Sequence, residues 1–257
     1  MKTLLLYPFT LFIILFENIG RYFDLMIKTF RSFKTWPIYL TTLPDHLMIL
    51  GVSALPIVVL TGLFTGMVTS VQAAYQFESG FIPTWYVGGI VGEAVFLELG
   101  PMITGLVMTG RVGATIAAEI GTMRVTEQID ALETLSFDPI SFLIMPRILA
   151  SAIMFPVMVV MADLFGILGG YLGAISSMDV TAFDFVRGLK DWVRPWDVIF
   201  CIIKGFFFGI TITSIACYFG FYTTGGAQGV GKTTTTTVVV SCLAILILDY
   251  VLAALLL

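Results

Sequence analysis

The chain has 257 residues, of which 58% are hydrophobic and only 12% are charged, with a formal net charge of −4. A soluble domain normally carries about a quarter charged residues, so this balance indicates a protein embedded in lipid. The mean hydropathy of +1.00 rests on long uncharged runs, which indicate membrane-spanning helices rather than the short alternating strands of a membrane barrel. The basic residues are spread along the chain, which argues against nucleic-acid binding.

The first 45 residues predict a helical region that lies at the membrane surface. Residues 4–16 are apolar but short for a span and contain Pro8, so we interpret them as a surface helix, with an uncleaved signal segment as the alternative. Between residues 21 and 33 one helical face carries charges and the opposite face is apolar. The charged face holds Arg21, Asp24, Lys28 and Arg31, and the apolar face holds Phe23, Met26, Phe30 and Phe33. This division predicts an interfacial amphipathic helix.

Residues 46–257 predict a transmembrane domain of five helices. The predicted spans cover residues 47–77, 86–118, 140–176, 198–222 and 233–257. We expect Pro56 to kink the first span, and Pro146 and Pro156 to break the third or to place part of it outside the bilayer. Glycine pairs at four-residue spacing should allow close contact between helices. These pairs are Gly62/Gly66, Gly166/Gly170, Gly169/Gly173 and Gly205/Gly209.

The distribution of basic residues in short segments predicts the orientation. The cytoplasmic side should hold the N-terminal region and the loops that follow the second and fourth spans, whose basic residues are Lys2, Arg21, Lys28, Arg31, Lys34, Arg124 and Lys232. Five spans then place the N terminus in the cytoplasm and the C terminus in the periplasm.

The loop after the third span fits this orientation least well, because it carries Arg187, Lys190 and Arg194 among four aspartates. Its pattern Thr181-x-x-Asp184 is typical of a capped helix start. We therefore predict a short amphipathic helix that lies on the outer face, with one apolar side. That side would consist of Phe183, Val186 and either Leu189 or Val193.

Charged residues occur inside the predicted spans, where each costs about 2.5 to 3.5 kcal/mol unless it has a partner or a cavity. For Glu98 we favour a functional role over simple pairing with Arg111, Lys204 or a neighbouring subunit. For Glu93, Asp163 and Asp249 a structural role is at least equally favoured. The residues assigned as structural intramembrane charges are Glu93, Arg111, Glu119 and Asp249.

A polar stripe follows the first span. Its members, Thr65, Thr69, Gln72 and Gln76, recur at spacings that place them on one helical face. A lipid-facing surface would not tolerate two glutamines, so the stripe should face a protein interface or a polar cavity. A cavity shared with Glu98 would suit an amphiphilic cargo with a polar head.

The segment Gly226–Thr233 reads Gly-Ala-Gln-Gly-Val-Gly-Lys-Thr and matches the phosphate-loop pattern literally. A working phosphate loop also needs a preceding strand, a helix on an α/β sheet and an acidic residue for Mg²⁺, whereas this segment lies between two spans. We interpret it as a tight cytoplasmic turn, with Lys232 near anionic headgroups.

No metal site is predicted. The single histidine, His46, cannot form a metal cluster alone. The three cysteines, which have no metal-binding spacing, are most simply small buried hydrophobic residues. They are Cys201, Cys217 and Cys242.

A short helix is predicted on the cytoplasmic side after the second span. Thr126 could cap it, and an acidic stripe would lie beside an apolar one. The acidic stripe is Glu127, Asp130 and Glu133, and the apolar stripe is Ile129, Leu132 and Leu135. Asp138 and Pro139 should then start the next helix. A two-faced helix in this position suits a docking element, although an ordinary surface helix fits as well.

The central part of the chain resembles the signature of the MlaE/YrbE permeases. The resemblance rests on residues 98–132, which read ELGPMITGLVMTGRVGATIAAEIGTMRVTEQIDAL. It continues in Asp138-Pro139, in Pro146-Arg147 and in the closing LDYVLAAL, and it covers nearly the whole chain from about residue 40.

The resemblance implies an all-α integral membrane protein of the MlaE type, with an N-terminal interfacial helix and five transmembrane helices. It implies a homodimeric ABC permease of the bacterial inner membrane that moves phospholipids between the inner and outer membranes. Such a chain is not an enzyme and holds no cofactor, because ATP and Mg²⁺ bind to a partner ATPase. The expected partners are an MlaF-like ATPase, an MlaD-like ring of MCE domains and often an MlaB-like STAS-domain protein.

The resemblance also implies roles for individual residues. Residues 121–135 correspond to the family's coupling helix, and the residues expected to contact the ATPase are Arg124, Thr126, Glu127, Gln128, Asp130 and Glu133. Glu98 matches a glutamate beside the central lipid cavity, and Leu97 stands where some relatives have arginine. Two other classes of function remain open on the residues alone: an ion-coupled secondary transporter and a membrane scaffold that transports nothing.

Overall fold

The structure, a computed structural model of the chain, describes residues 2–31, 40–76, 83–177 and 180–257. Its principal helices are α1 (Lys2–Arg31), α2 (Leu43–Leu50), α3 (Leu55–Gln76), α4 (Tyr86–Val125), α5 (Gln128–Thr134), α6 (Met145–Ser177), α7 (Ala182–Trp192), α8 (Pro195–Phe221) and α9 (Gly226–Leu256). Five helical runs are long and apolar enough to cross a membrane: Leu43–Gln76, Tyr86–Val125, Ile140–Ser176, Pro195–Phe221 and Gly226–Leu256. The predicted all-α architecture with five spans is therefore confirmed. Phe33, Lys34 and Phe77 lie outside the described residues.

Helix α6 lies at the centre of the bundle, where it packs against α3 and α8. The contact with α3 is close enough that a Cβ atom on Gly66 would lie 1.8 Å from the carbonyl oxygen of Gly166, and one on Gly169 would lie 2.0 Å from that of Leu63. On α8, a Cβ atom on Gly209 would lie 2.7 Å from a backbone oxygen of α6. The prediction that these glycines allow close helix contact is confirmed.

Prolines affect the first and third spans differently. The first span breaks just before Pro56, because α2 ends at Leu50 and a 3₁₀ turn, Val52–Ala54, precedes α3. Pro56 then lies in the first turn of α3, where its missing N–H is not needed. The predicted break of the third span is wrong, because α6 runs continuously from Met145 to Ser177 with Pro156 inside it. Packing against neighbouring helices makes such prolines tolerable in membrane helices. The alternative, that part of this span lies outside the bilayer, stays a prediction.

Two spans contain π-helical segments, three segments in all, where the chain carries an extra residue per turn. Helix α4 contains two, Val95–Leu99 and Thr109–Gly113, and a third, Ile140–Ile144, leads into α6. The two segments of α4 include Glu98 and Arg111, the charged residues singled out from the sequence. Segments of this kind occur frequently at functional sites.

The glycine-rich segment before the fifth span is helical, so its interpretation as a tight turn is wrong. Helix α9 begins at Gly226 and continues through Lys232. The chain reverses just before it, where Gly225 and Gly226 have φ values of 92° and 66°. Only these two glycines need the left-handed conformation that glycine adopts without strain, and the later ones propagate the helix.

The helix after the third span starts as predicted. The Thr181 hydroxyl accepts a hydrogen bond of 3.2 Å from the backbone N–H of Asp184, which caps α7. The side of α7 that packs against the start of α4 agrees only in part with the predicted apolar side: Leu189 and Val193 pack against Gly92, but Phe185 and Gly188, which were not predicted, also form this contact. Phe183 is 75% exposed.

Helix α1 has one face against the bundle and another that is free. The hydroxyls of Tyr22 on α1 and Ser214 on α8 are 2.7 Å apart, and Leu25 is buried beside them. Phe23 and Phe30 are exposed, as suits a helix that also contacts lipid. The charged face is held by two ion pairs at four-residue spacing, Glu17–Arg21 and Asp24–Lys28.

Candidate functional site

A buried lysine joins three of the spans. The Nζ atom of Lys204, on α8, lies 2.9 Å from Oε2 of Glu98 on α4 and 2.6 Å from Oδ1 of Asp249 on α9. The same ammonium donates a hydrogen bond of 2.8 Å to the carbonyl oxygen of Leu97 and lies 4.8 Å from the ring centroid of Phe200. We call Glu98, Lys204 and Asp249 the charged triad.

The triad is unequally exposed. The Lys204 side chain is fully buried and that of Asp249 is 9% exposed, whereas that of Glu98 is 48% exposed. Two carboxylates around one ammonium leave the triad with a net negative charge. Because Glu98 is the exposed member, a group outside the chain could contact the triad at Glu98. The sequence left both Arg111 and Lys204 as possible partners of Glu98. In the structure the partner of Glu98 is Lys204.

An open groove lies between α3 and α4, and on the α4 side it is lined by Leu99, the residue after Glu98, while Glu98 itself is not part of its lining. It has a volume of about 380 Å³ and is lined by Phe64, Thr65, Val68, Thr69, Gln72 and Leu99. Three of the four stripe residues thus face one groove, and Gln76 lies beyond its lining. We call this space the stripe groove.

The threonines contribute less polarity to the stripe groove than the sequence suggested. Thr65 donates its hydroxyl to the carbonyl oxygen of Thr61 at 2.7 Å, and Thr69 donates to that of Thr65 at 2.8 Å. Because these hydroxyls are satisfied within α3, they can border lipid at little cost. The exposed amide of Gln72 is the polar group that remains available in the groove.

The other intramembrane charges lie apart from the triad. Arg147 is buried and donates to Glu119 across 3.2 Å, which links α6 to α4. Arg111 donates to the carbonyl oxygen of Ser53 at 2.6 Å. Glu93 is exposed and forms no ion pair among the residues that the structure describes.

Sequence reasoning gave too little weight to three buried charges. Lys204 was named only as one possible partner, Arg147 only as part of a resemblance, and for Asp163 a structural role was at least equally favoured. Asp163 is 1% exposed, and its carboxylate packs against Gly100. The cost of a charge in hydrocarbon, which pointed to Glu98, applies equally to these three residues and could have found them.

The predicted coupling segment forms a helix, although Thr126 does not cap it. The Thr126 hydroxyl instead donates to the carbonyl oxygen of Thr122 at 2.8 Å, so it belongs to the end of α4. Glu127 follows with a φ of 60°, and α5 begins at Gln128, whose amide donates to Thr126 Oγ1 at 2.9 Å. A left-handed residue directly after a helix is a common way to end it, which explains why α4 stops here.

Helix α5 presents acidic and apolar groups together. Arg124 lies 2.6 Å from Asp130, which fixes α5 against the end of α4, while Glu133 is exposed. Of the predicted apolar stripe, Ile129 is buried in the bundle and Leu135 is 67% exposed. Helix α5 is therefore fixed to the end of α4, and its outer surface presents exposed acidic and apolar side chains.

A family model described as permease MlaE matches residues 43–255, which include the triad, both sides of the stripe groove and α5. The chain belongs to the MlaE permease family. A probable ABC transporter permease protein of Rickettsia prowazekii is 42% identical to this MlaE-family chain over 219 residues, which cover 85% of the chain and 84% of the relative. The intermembrane phospholipid transport system permease protein MlaE of Haemophilus influenzae is 35% identical over 213 residues, covering 82% and 81%.

A plant protein is also similar to this chain. The chloroplastic protein TRIGALACTOSYLDIACYLGLYCEROL 1 of Arabidopsis thaliana is 37% identical over 204 residues, covering 79% of the chain and 58% of the relative. Together with the five spans, these MlaE-family relatives make the chain a multi-pass inner-membrane permease of an ABC transporter. Its role as a permease subunit is that of a non-enzymatic transmembrane component.

Proposed function

We propose that this permease moves phospholipids between the inner and outer membranes, driven by ATP hydrolysis in a separate cytoplasmic subunit. The observation that carries the proposal is the half-exposed Glu98, held by buried Lys204 and directly followed in α4 by Leu99, which lines the stripe groove. Gln72 gives this groove a polar edge, and Phe64 and Val68 give it an apolar wall. An amphiphile with a polar head and acyl chains matches that combination. The name of the Haemophilus influenzae relative supports phospholipid as the cargo.

Helix α4 suits the transmission of force from the cytoplasm to the groove. It extends for 40 residues, from Tyr86 to Val125, which corresponds to a length of about 60 Å. Its cytoplasmic end is fixed to α5 by the Arg124–Asp130 pair, and Glu98 lies along the same helix. Movement of α5 by an ATPase would therefore shift Glu98 relative to α3 and change the width of the stripe groove.

The proposal includes an assembly around the permease. Two copies of the chain would form a homodimer with their stripe grooves facing a shared cavity. An MlaF-like ATPase would bind the surface of α5, an MlaD-like MCE ring would cover the outer face near α7, and an MlaB-like STAS-domain protein would bind the ATPase. Purification in mild detergent should yield the permease together with these subunits, and mass spectrometry would identify them.

Reconstitution tests the function and separates the two sites. The complex in proteoliposomes should transfer labelled phospholipid to acceptor vesicles only with ATP. Glu98→Ala should impair transfer with the ATPase still bound, because α5 is unchanged. Glu127→Lys should abolish transfer and weaken ATPase binding, because it reverses a charge on the docking surface.

Glu93→Ala is the matched control, since it removes an exposed acid from the same helix as Glu98 and should leave transfer normal. Normal lipid transfer in both Glu98→Ala and Glu127→Lys would contradict the assigned roles. Lipid transfer driven by an ion gradient, without an ATPase, would instead indicate a secondary transporter.

A further inference from the structure

Arg111 is a cation inside a membrane span whose anionic partner is not provided by the described chain. One of its terminal nitrogens donates to Ser53, to the carbonyl oxygen at 2.6 Å and to the hydroxyl at 3.3 Å. No carboxylate among residues 2–31, 40–76, 83–177 and 180–257 lies within ion-pair distance of it. The side chain is exposed on the surface of the bundle. A guanidinium has five N–H donors, so most of them remain free for an outside group.

Arg111 forms part of a concave surface. A groove of about 210 Å³ is lined by Ile49, Leu50, Ser53, Arg111, Val112 and Thr115, and we call it the arginine groove. The neighbouring Gly110 leaves the approach open, since a Cβ atom there would meet nothing within 4 Å. The groove therefore offers one charged group between apolar walls, with free space in front of it.

The arginine groove and the surface helix α1 lie at nearly the same level along the bundle. A Cβ atom on Gly113 of α4 would lie 3.3 Å from Ile212 of α8, and Ser214, two residues further along α8, contacts Tyr22 of α1. Arg111 is thus displaced from the level of Tyr22 by about one helical turn, or roughly 6 Å. A long arginine side chain can cover such a distance toward the headgroup layer.

The arginine groove and the stripe groove follow the same pair of spans. Twelve residues separate Ser53 from Thr65 on the first span, and twelve separate Leu99 from Arg111 on the second. Twelve helical residues correspond to about 18 Å, which is more than half of the roughly 30 Å thickness of a bilayer core. A molecule held at Arg111 would therefore lie about 18 Å from the stripe groove along the same two spans.

We propose that the arginine groove binds the phosphate of a phospholipid from the leaflet on the side of α1. The lipid would occupy this site before it enters the stripe groove or after it leaves it. The planar guanidinium, fixed by Ser53, can donate two parallel hydrogen bonds to phosphate oxygens. Ile49, which is exposed, would contact the glycerol and the upper acyl chains, which favours a lipid over free phosphate. The proposal rests on the proposed function for its cargo, but its site can be tested without transport.

The test uses the full chain in nanodiscs, without nucleotide or ATPase. The probe is phosphatidylglycerol with a diazirine close to the headgroup, and mass spectrometry maps the labelled peptides after illumination. The wild-type chain should be labelled at residues 48–54 and 108–116. Arg111→Gln should reduce this labelling about tenfold or more, as expected for loss of a charge-assisted pair of hydrogen bonds.

A second variant guards against a folding defect. Thr115→Trp keeps Arg111 but fills the groove from an exposed position, and it should reduce labelling to a similar extent. Arg187→Gln removes an equally charged side chain from α7, outside the groove, and should leave labelling unchanged. Diacylglycerol with the same diazirine lacks the phosphate and should label these peptides about tenfold less.

Four results would overturn the proposal: no labelling of the wild-type peptides, equal labelling by diacylglycerol, unchanged labelling in both groove variants, or complete displacement by excess inorganic phosphate. The last of these would show an anion site rather than a lipid site. A chain that labels normally but does not transfer lipid would contradict the proposed function alone. A chain that transfers lipid without labelling here would contradict the arginine groove alone.

Discussion

At the scale of single residues, Lys204 holds together side chains that would otherwise be charged and isolated in hydrocarbon. Its ammonium lies within 3 Å of both Glu98 and Asp249, and its own side chain is fully buried. Burying the charges of Lys204 and Asp249 and part of Glu98 is expensive, so the contacts within the triad mainly offset the cost of desolvation. The triad is therefore better understood as an arrangement that fixes the position of Glu98, directly before Leu99 of the stripe groove, than as a source of stability.

Replacement of Lys204 should show how far its contacts offset the desolvation of the two carboxylates. Lys204→Met leaves two carboxylates without their cation, and we expect it to destabilise the chain by about 3 to 5 kcal/mol. Thermal unfolding in detergent measures the change. The double variant Lys204→Met, Asp249→Leu should recover part of the loss, because it removes one of the stranded charges.

Lys232→Met is the control for Lys204→Met, since Lys232 is exposed and forms no ion pair among the described residues. It should change the unfolding temperature little. Equal stability of the two single variants would show that the contacts around Lys204 do not compensate the charges of Glu98 and Asp249.

The residue types of the site could be predicted from sequence, but their pairing could not. Charges inside apolar runs identified Glu98, Arg111 and Asp249, because each charge in lipid needs a partner or a cavity. Whether Glu98 meets Arg111 or Lys204 depends on how α8 is rotated against α4. That rotation is set by packing between helices distant in sequence, which no local pattern contains.

At the scale of elements, the crossing of α3 and α6 depends on glycines from both helices. Gly66 and Gly169 each contact the opposite backbone, so neither has room for a side chain. Close backbone approach of this kind drives helix association in membranes, where lipid is as apolar as the side chains. The crossing also positions α3 and therefore one wall of the stripe groove.

Gly66→Ala should disturb this crossing. The added Cβ atom would lie 1.8 Å from the carbonyl oxygen of Gly166, a backbone atom that cannot turn away. We expect a loss of about 1 to 3 kcal/mol, as for other overpacked sites, measured by thermal unfolding in detergent. Gly231→Ala is the matched control, because a Cβ atom there meets nothing within 4 Å. It should be neutral or stabilising by up to about 1 kcal/mol, and a similar loss in both variants would show that helix propensity, not packing, is being measured.

Hydropathy predicted that the five spans exist, whereas their ends depended on interactions outside the local sequence. Helix α9 begins seven residues earlier than expected, at Gly226, although glycine is a poor helix former. Pro156 does not interrupt α6, because the neighbouring helices keep that helix packed. Thr126 ends α4 instead of starting α5, since the positive φ of Glu127 falls one residue later. A glutamate gives no sequence signal for that conformation.

At the scale of the whole molecule, the two ends of the bundle carry different surface helices. The end that holds α5 has an acidic and apolar surface fixed to α4, whereas the end that holds α7 has an amphipathic helix packed on the start of α4. Helix α4 connects them over about 60 Å. If α5 contacts an ATPase, then α7 and the outer partner must lie across the membrane from it.

The third span separates α5 from α7, so cysteine accessibility can test this arrangement. Ser136, after α5, and Asp191, on α7, are both exposed and can each be replaced by cysteine. In intact spheroplasts a membrane-impermeant maleimide should label Asp191→Cys and not Ser136→Cys, and inverted vesicles should give the opposite result. The physical reason is that basic residues near α5, including Arg124 and Lys232, are retained on the cytoplasmic side during insertion.

The background for this experiment is favourable, because Cys201 and Cys217 are buried, and Cys242, which is partly exposed, can be replaced by alanine. Labelling of both variants after permeabilisation is the control for reactivity. If Ser136→Cys were labelled in spheroplasts, α5 would face the periplasm and could not contact a cytoplasmic ATPase. The same result would place α1 and the arginine groove at the outer leaflet, so this one measurement constrains the direction from which the proposed lipid site is loaded.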